Sequence, residues 1–407
     1  MNTILEEYIE LCKDMKESDS NCIPLCAAQT HISSFCKKPL LSDFEGKYSF
    51  KEADGTNSFI GGEYVERLNS LLSQQCKLVF GAEYVNADTL TGINCFSVCA
   101  MCLLKRGDHV LVTTPEQGGH SSIPIILDSL GVHYDTLPFD FSHYQIDYEK
   151  TNQLLSTEKY KFIIFCQSDI INPPNLGKLL VPEETGILYD GTQLLGLIAG
   201  KATTNPLTFD NVVLIGGSHK TLPAPACGLI MTNNEQYKNK LHGRITPKYL
   251  RNTQPNHVAS LLLSLIEQEK YGEEYQRKVV HTANLLGQEL EKVGFKLAKV
   301  NDSIYTHTHQ LFLLTSPEEA KRFYYNAQMY NITLNKKNKK LFHNDGIRLG
   351  TQQIARYDWD KEEMAALSQL LRYVFCGKTH ESEILAIRKE LIAKKIPKFE
   401  YEEIVIE

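Results

Sequence analysis

The sequence predicts a layered α/β fold with one large domain and a smaller second domain. Short β-rich apolar runs alternate with helical segments in the middle of the chain, which is typical of strands joined by helices. A length of 407 residues exceeds what one small hydrophobic core supports. We therefore expect an N-terminal helix and arm over 1–37, a large domain over 38–275 and a small C-terminal domain over 276–407.

The individual elements follow from hydrophobic periodicity and from the positions of glycine and proline. Leu68–Phe80 is predicted to be a helix that ends at Gly81, and Asn94–Leu104 is apolar and helix-like. The strands expected next are His109–Thr113, Lys161–Cys166, Gly186–Tyr189, Asn211–Ile215 and Gly228–Thr232. The helices expected after them are His257–Glu269, Tyr275–Val293, Asp360–Tyr373 and Glu381–Lys394, with short strands at Leu311–Leu314 and Gly346–Leu349.

Composition excludes several classes of function. The formal net charge of −6 is small, so we expect no nucleic-acid partner. No apolar run is long enough for a membrane helix, and the acidic N-terminus lacks the layout of a signal peptide, so we expect a cytoplasmic protein without membrane contact. The eleven cysteines include Cys95, Cys99 and Cys102 within one helical stretch. Their spacing gives no convincing zinc site, so we expect no metal and interpret them as small buried apolar residues.

A single lysine follows the β-like run that ends at Ile215. The segment Gly216-Gly217-Ser218-His219-Lys220-Thr221 places Lys220 at the end of a buried strand. A charge there is costly unless it is used or removed. One use is a Schiff base with pyridoxal phosphate, in which the amine reacts in its neutral form. A structural lysine that extends from the strand end towards solvent is the alternative.

Other polar residues also follow predicted strands, where ligands bind in open α/β sheets. Asp190 could pair with a protonated pyridine nitrogen, and Arg348 could bind a carboxylate bidentately or form a surface ion pair. Thr91-Gly92 precedes a helix and could hold a phosphate or serve only as an N-cap. Ser168 ends a further strand.

The order and spacing of these residues resemble the serine hydroxymethyltransferase family, within the fold type I enzymes that use pyridoxal phosphate. The resemblance runs from about Asn21 to Ile354. It is carried by Gly61-Gly62-Glu63-Tyr64-Val65-Glu66, Phe80-Gly81-Ala82-Glu83-Tyr84-Val85-Asn86, Gly118-Gly119-His120, the run from Asp190-Gly191-Thr192-Gln193 to Gly200, His219-Lys220-Thr221-Leu222 and Gly346-Ile347-Arg348-Leu349-Gly350-Thr351. It implies a large three-layer α/β/α domain, a smaller C-terminal α+β domain and a pyridoxal 5′-phosphate cofactor.

The resemblance also implies roles for single residues. Lys220 matches the lysine of the internal aldimine, Asp190 the aspartate at the pyridine nitrogen, and Arg348 the arginine that binds the substrate α-carboxylate. Tyr48 matches a tyrosine that reaches the neighbouring subunit's site, so a homodimer with shared active sites is expected. The remaining expected contacts to the cofactor, besides Lys220 and Asp190, are Thr91, Gly92, Gln117, Ser168, Gln193, Ser218 and His219.

Several positions depart from the family pattern. Gln117 replaces the histidine that stacks on the cofactor ring, and Gln193 replaces a second histidine. Ala28-Gln29 replace a serine-glutamate pair at a substrate-binding position, and Ala226-Cys227 interrupt the family's Gly-Pro-Arg-Gly-Gly run after the lysine. The segment 247–253 replaces a glycine-rich loop that reaches the partner's phosphate.

The folate-related positions depart further. Phe50 stands where the family has a glutamate used in folate-dependent chemistry, unless Glu52 substitutes for it in a longer loop. Phe59-Ile60 stand where the family has two tyrosines. Folate use is therefore in doubt, although the residues expected around the cofactor remain.

The leading hypothesis is an enzyme acting at Cα–Cβ of a small amino acid, by aldol-type cleavage, addition or hydroxymethyl transfer. Its substrates would be a glycine-, serine- or threonine-like amino acid and possibly an aldehyde, without folate. The base near the β-hydroxyl would be His120 or Glu52. Transamination, decarboxylation-linked deamination or β-elimination is the alternative chemistry, and a non-catalytic partner subunit with the same fold is the alternative of another class.

Overall fold

A computed structural model describes residues 3–52, 54–377 and 380–401. The end of the predicted small domain, 402–407, lies outside the described residues. The α-helices are α1 (Thr3–Ser20), α2 (Ser34–Lys37), α3 (Gly62–Phe80), α4 (Gly92–Leu103), α5 (Ser122–Leu130), α6 (Tyr148–Thr157), α7 (Leu195–Ala199), α8 (Glu235–Leu241), α9 (Pro255–Lys292), α10 (Pro317–Met329), α11 (Lys361–Cys376) and α12 (Glu381–Ala393).

The strands include every run predicted as β-rich. They are β1 (Ile23–Pro24), β2 (Tyr84–Asn86), β3 (His109–Val112), β4 (His133–Thr136), β5 (Phe139–Asp140), β6 (Gln145–Ile146), β7 (Phe162–Phe165), β8 (Gly186–Asp190), β9 (Val212–Gly217), β10 (Gly228–Thr232), β11 (Gln310–Leu314), β12 (Ile332–Thr333), β13 (Asn335–Lys339) and β14 (Asn344–Gly350). The chain divides into two compact units, one of Ala28–Val280 with Phe399–Glu407 and one of Met1–Ala27 with His281–Lys398.

The larger unit is built on a seven-stranded mixed sheet of order β2-β10-β9-β8-β7-β3-β4. Strands β4, β3, β7, β8 and β9 are parallel, whereas β10 is antiparallel to both of its neighbours. Because parallel strands end at one edge of the sheet, the residues after β7, β8 and β9 lie side by side. This arrangement confirms the predicted α/β class.

Both faces of this sheet are buried. Val110, Ile164 and Ile215 pack with apolar residues of α4, α5 and α8 on one face. The residues that alternate with them, including Leu111 and Leu214, are fully buried as well. Since successive side chains of a strand point to opposite faces, the second face is also covered and the unit has three layers.

One predicted boundary is wrong. Residues expected to form two helices, His257–Glu269 and Tyr275–Val293, lie in the single helix α9. The residues between the two expected helices, 270–274, include Gly272 and continue the helix. The structure gives that glycine a packing role, because a Cβ on Gly200 would lie 2.3 Å from the carbonyl oxygen of Gly272. Two glycines therefore allow the close approach, and helical hydrogen bonding continues through the site.

The smaller unit contains an antiparallel sheet of order β11-β14-β13 and a two-stranded parallel pair, β1 with β12. Its core joins the C-terminal part of α9 with apolar side chains of α10, α11, α12 and β14. Helix α1 begins this unit and has no buried residue. No helix among the described residues has both the length and the apolar character needed to cross a membrane.

Candidate functional site

Asp190 and Lys220 lie at the same edge of the larger unit's sheet. Asp190 is the last residue of β8 and pairs in register with Ile215 of β9. Strand β9 continues to Gly217, and Lys220 follows three residues later. The strand order thus brings a carboxylate and an amine, separated by thirty residues in the chain, to neighbouring strand ends.

Among the described residues, the Asp190 carboxylate is hydrogen-bonded through one oxygen only. Its Oδ1 accepts hydrogen bonds from the backbone N–H of Thr192 at 2.9 Å and from the Thr192 hydroxyl at 2.5 Å. The same hydroxyl accepts a hydrogen bond from the backbone N–H of Gly217 at 2.9 Å. Thr192 therefore connects the end of β8 to the end of β9.

The N-terminus of α4 meets these two strand ends. Thr91 is the N-cap, with its hydroxyl accepting a hydrogen bond from the backbone N–H of Asn94 at 3.3 Å. Gly92 is buried, and a Cβ at this position would lie 2.4 Å from Thr192 Oγ1 and 3.0 Å from the backbone nitrogen of Gly217. Only glycine fits here without movement, and the backbone N–H groups of the first helical turn favour an anion nearby.

His219 lies beside this junction. Its imidazole ring is close enough to Gly217 that an added Cβ there would lie 3.1 Å from His219 Cε1. Its Nδ1 is buried without a hydrogen-bond partner among the described residues. Burial, together with the charge of Lys220, lowers the pKa of His219. This shift favours the neutral ring, which can offer a nitrogen lone pair or an N–H group to a ligand.

Ser218 and Gln193, two predicted cofactor contacts, form hydrogen bonds that stabilise the turns around Lys220. Ser218 is buried, and its hydroxyl lies 2.7 Å from the carbonyl oxygen of Pro225 and 3.0 Å from that of Cys227. The backbone carbonyl of Gln193 accepts a hydrogen bond from the Thr221 hydroxyl at 2.9 Å. These bonds fix the chain on both sides of Lys220. Any contact of the Ser218 or Gln193 side chain with a cofactor stays a prediction.

Gln117 occupies a structural position. Its side-chain oxygen accepts hydrogen bonds from the backbone N–H and hydroxyl of Thr114, both at 2.7 Å, and its amide nitrogen donates to the Leu137 carbonyl at 3.1 Å. These bonds form a capping box that closes the turn after β3. The amide is already held by its own turn, so its role as a ring-stacking substitute stays a prediction.

His120 and Ser168 lie on the adjoining loops. The backbone N–H of His120 donates to the Cys166 carbonyl at 2.9 Å, and Ser168 donates from its backbone N–H to the Gly118 carbonyl at 2.7 Å. His120 Nδ1 accepts a hydrogen bond from the backbone N–H of Ser122 at 3.2 Å. The neutral ring therefore carries its proton on Nε2, and this tautomer can donate a proton from that atom.

The described residues of 48–60 form a hairpin before α3, with an antiparallel bridge between Lys51 and Asn57, and they include Tyr48 and Glu52. Tyr48 is exposed and stacks on Phe59, with the two ring centroids 5.3 Å apart. Glu52 is exposed and accepts a short hydrogen bond from the Ser58 hydroxyl. The guanidinium carbon of Arg251, from the segment 247–253, lies 5.7 Å from the centroid of the Phe50 ring. The structure thus connects the two segments that depart most from the family pattern.

Arg348 belongs to the smaller unit, in the middle strand of its three-stranded sheet. It is buried and lies directly opposite Asn335 of β13. Arg348 Nη2 donates to Asn335 Oδ1 at 3.0 Å, and that oxygen also accepts from the Cys26 thiol at 3.5 Å. Asn335 therefore orients the guanidinium. Ala28, the remaining predicted substrate contact, is half-buried in a turn of the larger unit and offers only a methyl group.

The sequence did not identify two of these residues. Thr192 lies two positions after Asp190, and a threonine in that position is a known signal for side-chain hydrogen bonding within a turn. Asn335 offers no such signal, because its partner Arg348 becomes visible only through the register of β13 and β14. Within the described residues, no group of three or more His, Cys, Asp or Glu side chains could hold a metal ion.

Comparisons with known proteins agree with this geometry. A sequence model of the family "Serine hydroxymethyltransferase" matches residues 1–371. A serine hydroxymethyltransferase from Methanothermobacter thermautotrophicus is 29% identical over 396 residues, covering 93% of this chain and 92% of the relative. Another from Thermoplasma volcanium is 28% identical over 399 residues, covering 94% and 92%. The structure of L-threonine transaldolase from Pseudomonas fluorescens in its internal aldimine state superposes with a TM-score of 0.88 at 18% identity, covering 97% of this chain and 92% of that one.

Proposed function

This chain belongs to the serine hydroxymethyltransferase family, and on that premise we propose that it acts at Cα–Cβ of a small amino acid without folate. The family makes it an enzyme that depends on pyridoxal phosphate. The proposed reaction is an aldol-type cleavage or addition between glycine and an aldehyde, or the transfer of such a group. The main support for the proposal is that Asp190, the loop with Lys220 and the N-terminus of α4 lie together at one edge of the sheet.

The residues present fit pyridoxal phosphate. Gly92 leaves space at a helix N-terminus, where backbone N–H groups suit a phosphate. The unpartnered Nδ1 of His219 lies in a ring that packs beside Gly217, at the same junction. Asp190 presents a carboxylate at the neighbouring strand end, and Lys220 supplies the only amine in the Gly216–Leu222 segment. Bound there, pyridoxal phosphate supplies an electron sink that stabilises negative charge on the substrate Cα.

We propose a role for each of four residues of this chain. Lys220 would hold the cofactor through its amine, and the Asp190 carboxylate would balance positive charge at the pyridine nitrogen. His120, with its proton on Nε2, is the proposed proton carrier at the substrate β-oxygen. Arg348 binds the substrate α-carboxylate with the guanidinium that Asn335 orients.

Three features of the hairpin support a reaction without folate. The Phe50 ring is apolar and is engaged by Arg251, so the position of the family's glutamate carries no carboxylate. Glu52 is exposed and hydrogen-bonded to Ser58. Phe59-Ile60 lack the hydroxyl groups of the tyrosines that they replace. A folate ring would lose its polar partners at Phe50 and at Phe59-Ile60.

The first experiment tests the cofactor and then the reaction. The purified protein should absorb in the visible range, lose this band with borohydride and carry the reduced label on Lys220. A panel of glycine, serine and threonine, each with and without tetrahydrofolate, then separates the reactions. Aldehyde release from a β-hydroxy amino acid without tetrahydrofolate is the expected result. Strict dependence on tetrahydrofolate, or formation of a keto acid without aldehyde, would refute the proposed reaction.

We also propose that the enzyme is a homodimer in which Tyr48 reaches the partner's site. Ile60 in the hairpin is completely exposed, and Tyr48, Phe59 and the nearby Tyr64 of α3 are exposed as well. Such a group of large apolar side chains is unfavourable in water unless another surface covers it. Sedimentation of Ile60→Asp should show a shift towards monomers, whereas Leu180→Asp, at an exposed position outside the hairpin, should sediment like the unmodified enzyme.

A cytoplasmic location is proposed as well. All eleven cysteines are described, and none of them forms a disulfide bond. Burial raises the pKa of the Cys95 thiol to about 12 and that of Cys36 to about 12, which keeps both protonated at neutral pH. Free thiols in this number suit a reducing compartment. Fractionation of cells that produce a tagged enzyme tests this location.

A further inference from the structure

We propose that Thr192 is a positioning residue, which fixes the Asp190 carboxylate so that one oxygen faces the cofactor ring. This inference rests on the proposed function, because it assigns Asp190 to the pyridine nitrogen. It goes further in naming the side chain that sets the carboxylate's orientation. It also places that side chain against the phosphate end of the same site.

The Thr192 hydroxyl donates one hydrogen bond and accepts another, and its two partners fix which is which. A hydroxyl has one proton, and here Oδ1 of the Asp190 carboxylate accepts it at 2.5 Å. The oxygen in turn accepts the backbone N–H of Gly217 at 2.9 Å, a group that can only donate. The chain therefore runs from Gly217 N–H through Thr192 O–H to Asp190. Each hydrogen bond strengthens the next, because donation to Thr192 makes its own proton a better donor.

The two carboxylate oxygens of Asp190 therefore differ in their hydrogen bonds. Oδ1 accepts both the hydroxyl and the backbone N–H of Thr192. Among the described residues, Oδ2 accepts no hydrogen bond that would compete with a ligand. Rotation of the carboxyl group would break the two bonds to Oδ1. Oδ2 is thus kept available for one external donor, and a protonated ring nitrogen is such a donor.

The same hydroxyl borders the proposed phosphate position. A Cβ on Gly92 would lie 2.4 Å from Thr192 Oγ1, so the threonine occupies the space that the glycine leaves. The α4 N-terminus, the β8 end and the β9 end therefore meet at one oxygen atom. Moving Thr192 would disturb the ring end and the phosphate end of the site together. We expect its loss to weaken cofactor binding as well as to alter the ring's protonation.

The simpler interpretation is a turn-stabilising threonine with no effect beyond stability. A matched position separates the two. Thr232, a buried residue at the end of β10 in the same unit, donates to the Val212 carbonyl at 2.7 Å and accepts from the backbone N–H of Asn234 at 3.1 Å. Its hydroxyl has the same number of partners but no contact with Asp190. A purely structural role predicts that Thr192→Val and Thr232→Val behave alike.

The test measures pyridoxal phosphate affinity of the full-length apoprotein, together with its thermal midpoint. Thr192→Val keeps the side-chain shape and should weaken affinity about 10- to 100-fold, since a hydrogen bond to a charged group contributes about 1.5–3 kcal/mol. Thr192→Ser keeps the hydroxyl and should restore affinity to within about threefold. Thr232→Val should lower the thermal midpoint but leave affinity unchanged. Thr192→Ala serves as a second variant if the valine prevents folding.

The pH dependence of the visible band provides a second readout. Loss of the Thr192 hydrogen bond should move the pH at which the band changes, because the charge opposite the ring nitrogen is held less firmly. A merely structural change would lower stability without moving it. Equal band titrations in Thr192→Val and the unmodified enzyme would overturn the proposal.

A double-mutant cycle identifies the route of the effect. If Thr192 acts through Asp190, then Thr192→Val should change affinity little once Asp190→Ala is present. Full additivity of the two effects would overturn the proposal. Failure of the unmodified protein to bind pyridoxal phosphate would instead refute the proposed function. Normal binding with an affected Asp190→Ala and an unaffected Thr192→Val would refute only the positioning role.

Discussion

Substitution of Asn335 tests whether Arg348 binds the substrate carboxylate. Asn335 lies opposite Arg348 in the β13–β14 pair and accepts a hydrogen bond from its guanidinium at 3.0 Å. Asn335→Ala removes that acceptor and leaves Arg348 in the sheet. Asn335→Asp keeps the size of the side chain and adds a negative charge beside the guanidinium. The two variants therefore separate loss of orientation from direct competition.

The expected magnitudes follow from this geometry. A hydrogen bond to a charged group contributes about 1.5–3 kcal/mol, and the half-buried position of Asn335 favours the lower end. Asn335→Ala should therefore weaken glycine binding about tenfold. In Asn335→Asp, two carboxylates about 6 Å apart would repel by about 3 kcal/mol at an effective dielectric constant of about 20. That repulsion corresponds to about 100-fold weaker binding.

The assay is a spectrophotometric glycine titration of the holoenzyme. Asn338→Ala is the matched control, because Asn338 lies on the same strand but is exposed and hydrogen-bonded to Asp345 instead. Pyridoxal phosphate affinity should stay unchanged in all three variants. The reasoning about Arg348 would be refuted if Asn335→Asp bound glycine as tightly as Asn338→Ala.

Three further outcomes are expected. Gly92→Ala should weaken pyridoxal phosphate binding at least tenfold in equilibrium dialysis, because its Cβ would displace the Thr192 hydroxyl and its bonds. Tyr401→Ala should lower the free energy of unfolding in urea by about 2–3 kcal/mol, since its ring meets two aromatic rings and one ammonium group, while Tyr401→Phe should change little. Burial lowers the folded-state pKa of His219, so stability should fall as the pH drops below the unfolded value of about 6.5 and through the lower folded value. His219→Asn should flatten that loss in urea titrations below about pH 7.

The central sheet could be predicted because its strands are buried on both faces. Runs such as Phe162–Phe165 and Val212–Gly217 consist largely of apolar residues, and burial on both faces requires that composition. The strand at Asn335–Lys339 escaped prediction because it is rich in lysine and lies at a sheet edge. Charged side chains protect such edges from further pairing and remove the apolar alternation that reveals other strands.

Part of the candidate site could also be predicted from the sequence. Asp190 and Lys220 could be placed together because parallel strands of neighbouring order end at one edge, which is a property of topology. The helix break expected near Gly272 was wrong because spacing alone does not reveal whether a glycine ends a helix or admits another backbone. Only the approach of Gly200 distinguishes the two.

Thr192 and Asn335 show why some residues beside the predicted charged groups could not be identified from the sequence. Each is an uncharged side chain that holds one side of a charged group, the carboxylate of Asp190 or the guanidinium of Arg348. A charged group without such a partner could rotate and form hydrogen bonds elsewhere in the protein. A ligand would then have to reorient the group on binding, and the cost of this reorientation would lower the ligand's affinity. The partner is chosen by strand register and side-chain rotamer, and neither is visible in sequence spacing. Substitutions at these neutral positions should therefore affect ligand affinity while the charged residues themselves remain unaltered.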